Sequence, residues 1–401
     1  MLGQMQIMPD GKLVSKVDLA IQRLQSFEPP EGYYVAFSGG KDSQCVYHLC
    51  KMAGVKFDAH MALTSVDPPE LLQFGKKYYP DVIIERQHYS DGLERHYYPD
   101  GSPKPITMWS LIADHTLPPT RKVRYCCAAL KEPGGAGRIV VTGVRWAESV
   151  RRKQTHGVVN FRGKPKGTKR IADDMGAEYK LNMHGDVIMN DDNDVNRRMV
   201  EQCFRTRKTM VNPIVDWTDE DVWEFLNSNG IPHCCLYDEG FTRIGCIGCP
   251  LQGSAGMKRD FERWPKYKEM YIRAFQHMID NHPGQIKILD PNAETKFKLD
   301  DVPVNMRGGG ALAGMVDNMG LKPSSDSTSQ TATNAEILGG GVQNRRSHAP
   351  QMAQGCPMLT AESKPSLCST TGWKWARSED AEWMMWEWVM KVQERFWNAT
   401  Y

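Results

Sequence analysis

Apolar runs alternate with amphipathic stretches along the first half of the chain, which predicts strands separated by helices. The predicted strands cover residues 33–37, 57–63, 81–86 and 138–144, and the predicted helices cover residues 42–53, 69–79 and 107–115. Another helix is predicted before the first strand, because apolar residues recur at helical spacing at Val14, Val17, Ile21 and Leu24. This alternation is typical of a doubly wound parallel sheet, so the fold class that we expect is α/β.

The second half of the chain is less regular. Residues 217–230 predict a helix that begins at the N-cap Thr218, and a further helix is predicted over residues 261–281. Residues 298–372 contain no aromatic residue and two triple-glycine runs, which predicts a linker or a long inserted loop. Residues 378–397 predict a helix with four tryptophans. We expect this helix to pack on the body of the protein, with partner binding as the alternative.

Composition narrows the class of protein only slightly. The net charge is +2, and no run of about 18 apolar residues occurs, so no membrane span is predicted. The N-terminal residues lack the charged-then-apolar order of a signal peptide, which predicts a cytoplasmic protein. In a reducing compartment, the 11 cysteines indicate metal or redox chemistry rather than disulfides.

Residues 38–43 read SGGKDS and lie between a predicted strand and a predicted helix. The two glycines allow the backbone to approach phosphate oxygens, the helix offers free N–H groups, and the lysine adds positive charge. The serines supply hydroxyl groups, and the aspartate either orients the loop or helps to hold Mg²⁺. The segment therefore predicts a phosphate-binding loop, although it is not the GxxxxGK[ST] loop of common ATPases. The candidate residues are Ser38, Gly39, Gly40, Lys41, Asp42 and Ser43.

Two other predicted strands end in polar turns that we expect at the same edge of the sheet. Gly143 and Arg145 follow one strand, which directs Arg145 toward an anionic ligand in the cleft. Asp67 follows another strand and is a candidate for adenosine or Mg²⁺ binding, with a simple turn carboxylate as the alternative. Residues 145–170 hold nine Lys and Arg against one acid, Glu148. This density suits either a solvated basic loop or a polyanion such as DNA or RNA.

The loop resembles the SGGxDS signature of the PP-loop ATP pyrophosphatases, and further segments resemble the phosphoadenylyl-sulfate (PAPS) reductase family. These segments are GVRWAESVRR (143–152), NPIVDWTDEDVW (212–223) and two cysteine-containing stretches, which together span most of residues 30–255. The resemblance implies an adenine nucleotide alpha hydrolase-like fold that binds a nucleotide's pyrophosphate and often cleaves ATP between the α- and β-phosphates. It also implies that the arginine-rich loop contacts the phosphate or sulfate of the nucleotide. The residues that it assigns to catalysis or nucleotide binding include Lys41, Asp42, Arg145 and Arg151.

These patterns divide the chain into five segments. An N-terminal helix in residues 1–30 precedes the nucleotide-binding, PAPS reductase-like domain over residues 31–260, which carries the candidate metal-binding cysteines. The remaining segments are a helical segment (261–297), the Gly/Ser-rich linker or inserted loop (298–372) and the Trp-rich C-terminal helix (373–401).

Four cysteines have a spacing that suits metal binding. Cys246 and Cys249 form a C-x-x-C chelate, and Cys126 with Cys127 completes four thiolates, the number that tetrahedral Zn²⁺ or a four-iron cluster requires. The order Cys-Cys…Cys-x-x-Cys resembles the iron–sulfur adenylyl-sulfate reductases. That resemblance implies that Cys126, Cys127, Cys246 and Cys249 hold a [4Fe-4S] cluster.

The other cysteines carry different expectations. Cys234 and Cys235 precede the C-x-x-C chelate by ten residues, and either remains an alternative ligand. Three are expected to be core thiols, namely Cys45, Cys50 and Cys203. Two more lie in the predicted linker, Cys356 and Cys368, and neither has the Glu-Cys-Gly-(Ile/Leu)-His context in which reductases of this family carry their nucleophile.

Three functions compete at this point. The first, which we favour, is a PP-loop sulfurtransferase that uses ATP and Mg²⁺ to adenylate an acceptor before iron–sulfur-dependent sulfur transfer. An intact loop combined with an iron–sulfur site resembles the sulfur-inserting enzyme of DNA phosphorothioation. The second is a sulfonucleotide reductase that converts adenylyl sulfate or PAPS to sulfite. The third is a non-catalytic nucleotide-binding module. The expected partners are an adenine nucleotide, a sulfur- or electron-donor protein and a nucleic-acid acceptor, with no membrane. Self-association into a homo-oligomer is left open.

Overall fold

The computed structural model describes residues 6–7, 13–162, 165–182, 185–190, 193–203, 208–289 and 373–389. The chain divides into two compact units, residues 1–288 with 375–401 and residues 289–374. Nearly all of the second unit lies outside the described residues, and so do the predicted linker and residues 390–397 of the predicted C-terminal helix. The five-segment division drawn from the sequence stays a prediction.

The helices and strands follow the chain in this order. The strands are β1 (Gln6–Ile7), β2 (Leu13–Val14), β3 (Tyr33–Ala36), β4 (Phe57–Ala62), β5 (Ile83–Glu85), β6 (Ile139–Val141), β7 (Val159–Arg162), β8 (Lys180–Leu181), β9 (Val187–Met189), β10 (Lys208–Val211), β11 (Lys287–Leu289) and β12 (Trp373–Trp375). The helices are α1 (Lys16–Ser26), α2 (Lys41–Ala53), α3 (Pro69–Tyr78), α4 (Met108–Asp114), α5 (Tyr125–Leu130), α6 (Val150–Thr155), α7 (Pro165–Met175), α8 (Asp194–Cys203), α9 (Asp219–Ser228), α10 (Gly253–Arg263), α11 (Pro265–Asn281) and α12 (Ala381–Val389).

An eight-stranded sheet in the order β5-β4-β3-β6-β10-β7-β9-β8 is the scaffold of the larger unit. The first five strands in this order are mutually parallel, which confirms the predicted α/β fold. The sheet is nevertheless mixed, since β7, β9 and β8 extend it in antiparallel fashion. These three strands have only two to four residues each and lie in a highly charged part of the sequence. Runs this short do not stand out as strands from hydrophobic patterning, and the sequence prediction missed all three.

Helix α2 carries the phosphate loop at its N-terminus and is fixed by its apolar face. Cys45, Val46, Leu49 and Cys50 on this face are fully buried, and α1 and α9 pack on α2. The helix ends at Gly54, which has the left-handed conformation (φ +68°) typical of a glycine C-cap. The predicted helix and its predicted C-cap are both confirmed, as are the buried positions of Cys45 and Cys50. The side chain of Cys203 lies outside the described residues.

The helix predicted over residues 261–281 is two helices. Helix α10 ends at Arg263 and α11 begins at Pro265, with Trp264 between them in a non-helical conformation. Proline has no N–H to donate and clashes with the preceding turn, so it starts a helix more readily than it continues one. The sequence prediction was wrong because apolar periodicity alone does not reveal this break.

Helix α12 packs its aromatic face on α11, as predicted for the tryptophan-rich segment. The side chain of Trp388 is fully buried, and its ring lies 4.9 Å from that of Tyr271 between centroids. The indole N–H of Trp388 also donates a hydrogen bond of 2.8 Å to the carbonyl of Pro119. Within the described residues, every helix is too short or too polar to cross a bilayer.

Candidate functional site

The phosphate loop forms a closed turn between β3 and α2. Gly39 has a φ of +74°, and a Cβ atom there would lie 2.9 Å from a methyl group of Leu71. Only glycine satisfies both conditions. The hydroxyl of Ser43 donates to the carbonyl of Gly40 at 2.8 Å and accepts the N–H of Ser38 at 3.2 Å. These bonds hold the backbone open at the start of α2, where helix N–H groups favour an anion.

Four charged side chains meet at the start of α2, and we call them the ion quartet: Lys41, Asp42, Arg145 and Asp219. The guanidinium of Arg145 donates to Asp42 at 2.7 Å and to Asp219 at 2.5 Å. The ammonium of Lys41 lies 3.2 Å from the same Asp219 oxygen. Both cations are almost completely buried, whereas the side chain of Asp219 is 59% exposed. The quartet therefore opens to solvent through its carboxylates.

Gly143 allows the chain after β6 to pass close to the start of α2. A Cβ atom on Gly143 would lie 2.9 Å from the backbone carbonyl carbon and oxygen of Asp42. The chain after β6 thus passes directly against α2, and Arg145 follows two residues later. The structure brings together the three residues predicted to be catalytic, Lys41, Asp42 and Arg145. Their catalytic roles stay predictions.

Two members of the quartet, Arg145 and Asp219, have pKa values that favour their charged forms. Burial lowers the pKa of Arg145, but the charges of Asp42 and Asp219 outweigh burial and hold that pKa above its usual value. Burial likewise raises the pKa of Asp219, yet its bonds to Arg145 and Lys41 bring that pKa below its usual value. The Asp219 carboxylate is therefore available as an oxygen ligand for Mg²⁺. Sequence reasoning missed Asp219, although it lies in the first turn of the predicted helix after Thr218.

Asp67 closes its own turn after β4. Its two carboxylate oxygens accept the N–H and the hydroxyl of Thr64 at 2.7 and 2.8 Å, and the residue is buried. This geometry corresponds to the turn carboxylate, which the sequence left as the alternative. The role of Asp67 in binding adenosine or Mg²⁺ stays a prediction.

A second group of positive charges lies beside the quartet, and we call it the arginine cluster: Arg124, Arg152 and Arg243. Burial lowers the pKa of Arg152, and the charges of Arg243 and Arg124 lower it further. The carboxylate of Glu148, 3.5 Å from the Arg152 Nε, opposes this effect, as does the charge of Asp42. The predicted ligand contact Arg151 is exposed on α6, so its neighbour Arg152 is the residue directed inward. Mutually repelling arginines stabilise an anion placed among them.

The four cysteines predicted as metal ligands share one electrostatic environment. Cys126 and Cys127 begin α5, and Cys246 and Cys249 flank a tight loop before α10. A hydrogen bond with Cys127, burial and the charges of Cys127, Cys246 and Cys249 all raise the pKa of Cys126. Hydrogen bonds from Cys126 and Arg124 lower the pKa of Cys127 despite burial. The structure therefore brings the two cysteine segments together.

The donor set fits an iron–sulfur cluster in number and chemistry, since such clusters are held by four thiolates. Lys131 and Arg124 supply positive charge beside these thiols, and the charge of Cys246 raises the pKa of Lys131. In the part of the chain that the structure describes, no three His, Cys, Asp or Glu residues are grouped closely enough to hold a metal ion. Cys234 is buried and Cys235 is exposed.

The family model of the phosphoadenosine phosphosulfate reductase domain matches residues 32–252, more than half of the chain. The chain belongs to this family. The match includes the phosphate loop, the ion quartet, the arginine cluster and the four cysteines. This membership indicates an enzyme of sulfur metabolism that is similar to the sulfonucleotide reductases.

Curated relatives of the PAPS reductase domain match over short segments. An adenosine 5'-phosphosulfate reductase from Neisseria meningitidis is 42% identical over 53 residues, which are 13% of this chain and 22% of that protein. A phosphoadenosine 5'-phosphosulfate reductase from Xylella fastidiosa is 31% identical over 64 residues, which are 16% of this chain and 27% of that protein. The matched segments thus span about a quarter of these relatives. The crystal structure of phosphoadenylyl-sulfate (PAPS) reductase from Candida auris, a phosphate complex, aligns with 58% of this chain and 88% of that chain, with 14% identity and a TM-score of 0.33.

Asp260, beyond the matched PAPS reductase domain, holds the loop between Cys246 and Cys249. Its buried carboxylate accepts the N–H of Gly248 at 2.9 Å and the side-chain amide of Gln252 at 2.8 Å. The same amide donates to the carbonyl of Cys246 at 3.1 Å. Burial raises the pKa of Asp260, and the two hydrogen bonds oppose that effect. Asp260 thus acts as a positioning residue for the two thiols.

Replacing Asp260 with alanine is expected to lower the free energy of unfolding by about 1–3 kcal/mol, because the buried N–H of Gly248 loses its acceptor and the half-buried amide of Gln252 loses one of two. It is also expected to speed the reaction of Cys246 and Cys249 with a thiol reagent. Asp260→Asn retains an acceptor oxygen and is expected to restore much of both properties. Denaturant unfolding and mass-resolved thiol labelling measure the two effects. Glu262→Ala, an exposed position on the same helix, is the control. Wild-type labelling rates in Asp260→Ala would refute the positioning role.

Proposed function

We propose that this chain binds ATP with Mg²⁺ at the phosphate loop, adenylates an oxygen of an acceptor, and then transfers sulfur with the help of the four-cysteine site. The ion quartet carries this proposal. It gathers two buried cations and two partly exposed carboxylates at the N-terminus of α2. That composition suits a Mg²⁺-bound triphosphate better than a sulfated nucleotide, which has no β,γ-pyrophosphate.

In the adenylation step, the acceptor oxygen attacks the α-phosphorus of ATP, and the bond from that phosphorus to the pyrophosphate oxygen breaks. The N–H groups of α2, together with Lys41 and Arg145, stabilise the charge that develops on the leaving pyrophosphate. Asp42 and Asp219 hold Mg²⁺ against the phosphates. A non-bridging oxygen of a DNA phosphodiester is already ionised at neutral pH, so with that acceptor the step releases no proton.

In the transfer step, a sulfide nucleophile displaces AMP from the adenylated acceptor. Thiolates of Cys126, Cys127, Cys246 and Cys249 would hold an iron–sulfur cluster, which supplies sulfur or electrons when it is bound. A separate donor protein replenishes that sulfur or those electrons. The arginine cluster binds the phosphate of the adenylated acceptor between the loop and the cysteines.

A nucleic acid is the acceptor class that this surface favours. Arg151 and Lys153 are exposed on α6 and form a basic strip with Arg152 of the arginine cluster. Such a strip suits the phosphate backbone of DNA or RNA. Sulfur insertion into DNA, as in phosphorothioation, is the specific form of the reaction that we propose.

Reduction of adenylyl sulfate or PAPS to sulfite is the second candidate function. The similarity to adenosine 5'-phosphosulfate and phosphoadenosine 5'-phosphosulfate reductases favours it. The arginine cluster beside Cys127 also favours it, since this cluster would place a sulfate group next to a thiol. In that reaction a thiolate attacks the sulfur atom and the nucleotide leaves. A second thiolate, from a reductant protein, then releases sulfite and forms a disulfide.

Parallel assays of anaerobically purified protein separate these functions. ATP labelled in the α-phosphate, with Mg²⁺ and duplex DNA, is expected to yield AMP and pyrophosphate. PAPS or adenylyl sulfate with a dithiol reductant protein is expected to yield no sulfite. Sulfite formation without pyrophosphate release from ATP would favour the reductase. Tight ATP binding without either product would favour a nucleotide-binding module.

A further inference from the structure

The hydroxyl of Tyr237 reaches the N-terminus of α2. Its oxygen accepts a hydrogen bond from the backbone N–H of Lys41 at 2.9 Å. A Cβ atom on Gly40 would lie 3.4 Å from the same oxygen, so the hydroxyl is in contact with the phosphate loop itself. The N–H groups of this first turn are the ones that a phosphate would contact. Tyr237 therefore belongs to the rim of the proposed phosphate site.

Packing fixes the tyrosine in this position. The fully buried Gln44, one turn into α2, donates to the carbonyl of Pro232 at 2.7 Å and so anchors the segment that leads to Tyr237. The ring of Trp223 on α9 meets the Tyr237 ring edge-on, with 5.1 Å between the centroids. The backbone N–H of Tyr237 also donates to the carbonyl of Cys234 at 3.0 Å. The hydroxyl is thus positioned by the fold.

The hydrogen of this hydroxyl is available to a ligand. A phenol has one hydrogen to donate and two lone pairs that accept. One lone pair accepts the N–H of Lys41, and the described part of the chain shows no acceptor for the hydrogen. Burial raises the pKa of Tyr237, and Asp42 and Cys234 raise it further, so the phenol keeps its hydrogen at neutral pH.

We infer that Tyr237 is a further phosphate-contacting residue, which accepts from the Lys41 N–H and donates its own hydrogen to a phosphate oxygen of the bound nucleotide. The inference rests on the proposed function, since it requires a nucleotide phosphate in the loop. The hydroxyl extends the helix N-terminus by one donor and adds no charge. The hydroxyl is thus an uncharged donor beside the two cations of the ion quartet, Lys41 and Arg145.

Titration of the full-length chain with pyrophosphate and with Mg²⁺-ATP, followed by calorimetry, tests this role. Tyr237→Phe keeps the ring against Trp223 but removes the donor. Loss of one hydrogen bond to a charged oxygen is expected to raise the Kd for pyrophosphate about tenfold. Tyr89→Phe is the matched control. Tyr89 is also half-buried, and its hydroxyl donates a hydrogen bond of 2.8 Å to Asp114, outside the phosphate loop. It is expected to bind pyrophosphate like the wild type.

Each outcome decides a different question. If the wild-type chain binds neither pyrophosphate nor ATP, the proposed function is wrong and the inference falls with it. If the wild type binds both and Tyr237→Phe has the same Kd, the proposed function stands and the role of Tyr237 is overturned. Should Tyr237→Phe fail to fold, 3-fluorotyrosine at position 237 provides a second test. A ¹⁹F shift on addition of pyrophosphate supports the contact, and an unchanged resonance at saturation refutes it.

Discussion

Replacing Lys41 with methionine is expected to slow the release of pyrophosphate from ATP by about 10²–10³-fold, the usual effect of removing one preorganised group that stabilises transition-state charge. Methionine fills nearly the same buried volume but has no charge to place beside the leaving pyrophosphate. The fold is expected to survive, because the partner carboxylate of Asp219 is largely exposed and such ion pairs contribute only about 0–1 kcal/mol. Single-turnover measurement of labelled pyrophosphate gives the rate.

Lys51→Met is the matched control for this experiment. Lys51 lies on the same helix, and its ammonium is 3.6 Å from Asp81, with both side chains more than half exposed. It lies at the opposite end of α2 from the phosphate loop, so its variant is expected to release pyrophosphate at the wild-type rate. An unchanged rate in Lys41→Met, with ATP still bound, would contradict the role proposed for the ion quartet.

Replacing any one of the four predicted cysteine ligands with serine is expected to remove most of the iron from the protein. A [4Fe-4S] cluster holds about four irons per chain on four thiolates, and loss of one thiolate opens a corner of the cluster to solvent and oxidation. Anaerobically purified wild-type protein is expected to be brown, and the serine variants are expected to be pale. Iron, sulfide and zinc analysis of each preparation measures the effect. The variants are Cys126→Ser, Cys127→Ser, Cys246→Ser and Cys249→Ser.

Cys235→Ser distinguishes the predicted ligand set from its alternative. Cys235 is exposed and is not one of the four predicted ligands, so its variant is expected to keep the full iron content. Loss of iron in Cys235→Ser would show that the neighbouring cysteine pair supplies a ligand. Stoichiometric zinc and no iron in the wild type would refute the cluster itself.

The sequence predicted the frame of the proposed nucleotide site because that frame depends on local signals. Glycine and a helix start predict the loop at residues 38–43, and apolar runs predict β3, β4 and β6, which are neighbours in the sheet. Arg145 was predicted to face the cleft because it follows a strand end, and its contact with Asp42 agrees with that expectation. Such features require only the residue pattern within about one element.

The features that the sequence did not predict depend on contacts between distant segments. Asp219 reaches Lys41 across 178 positions of sequence, and Tyr237 reaches the same residue from another loop. Nothing in a helix-capping motif or in a turn after two cysteines specifies such a partner. The inward direction of Arg152 rather than Arg151 depends on the phase of the short helix α6, which a basic run leaves undetermined.

The parallel part of the sheet also links the phosphate loop to the cysteine loop. The phosphate loop follows β3, and the Thr64–Asp67 turn follows the adjacent strand β4. That turn is bonded to the cysteine loop through the N–H of Ile247 and the carbonyl of Val66, at 2.8 Å. Adjacent strands lie about 4.8 Å apart, so the phosphate loop and the turn that holds the cysteine loop start from neighbouring strands at a fixed spacing. Under the proposed function, an adenylated acceptor would move between two sites that one sheet edge holds together, and a short transfer would limit its hydrolysis by water.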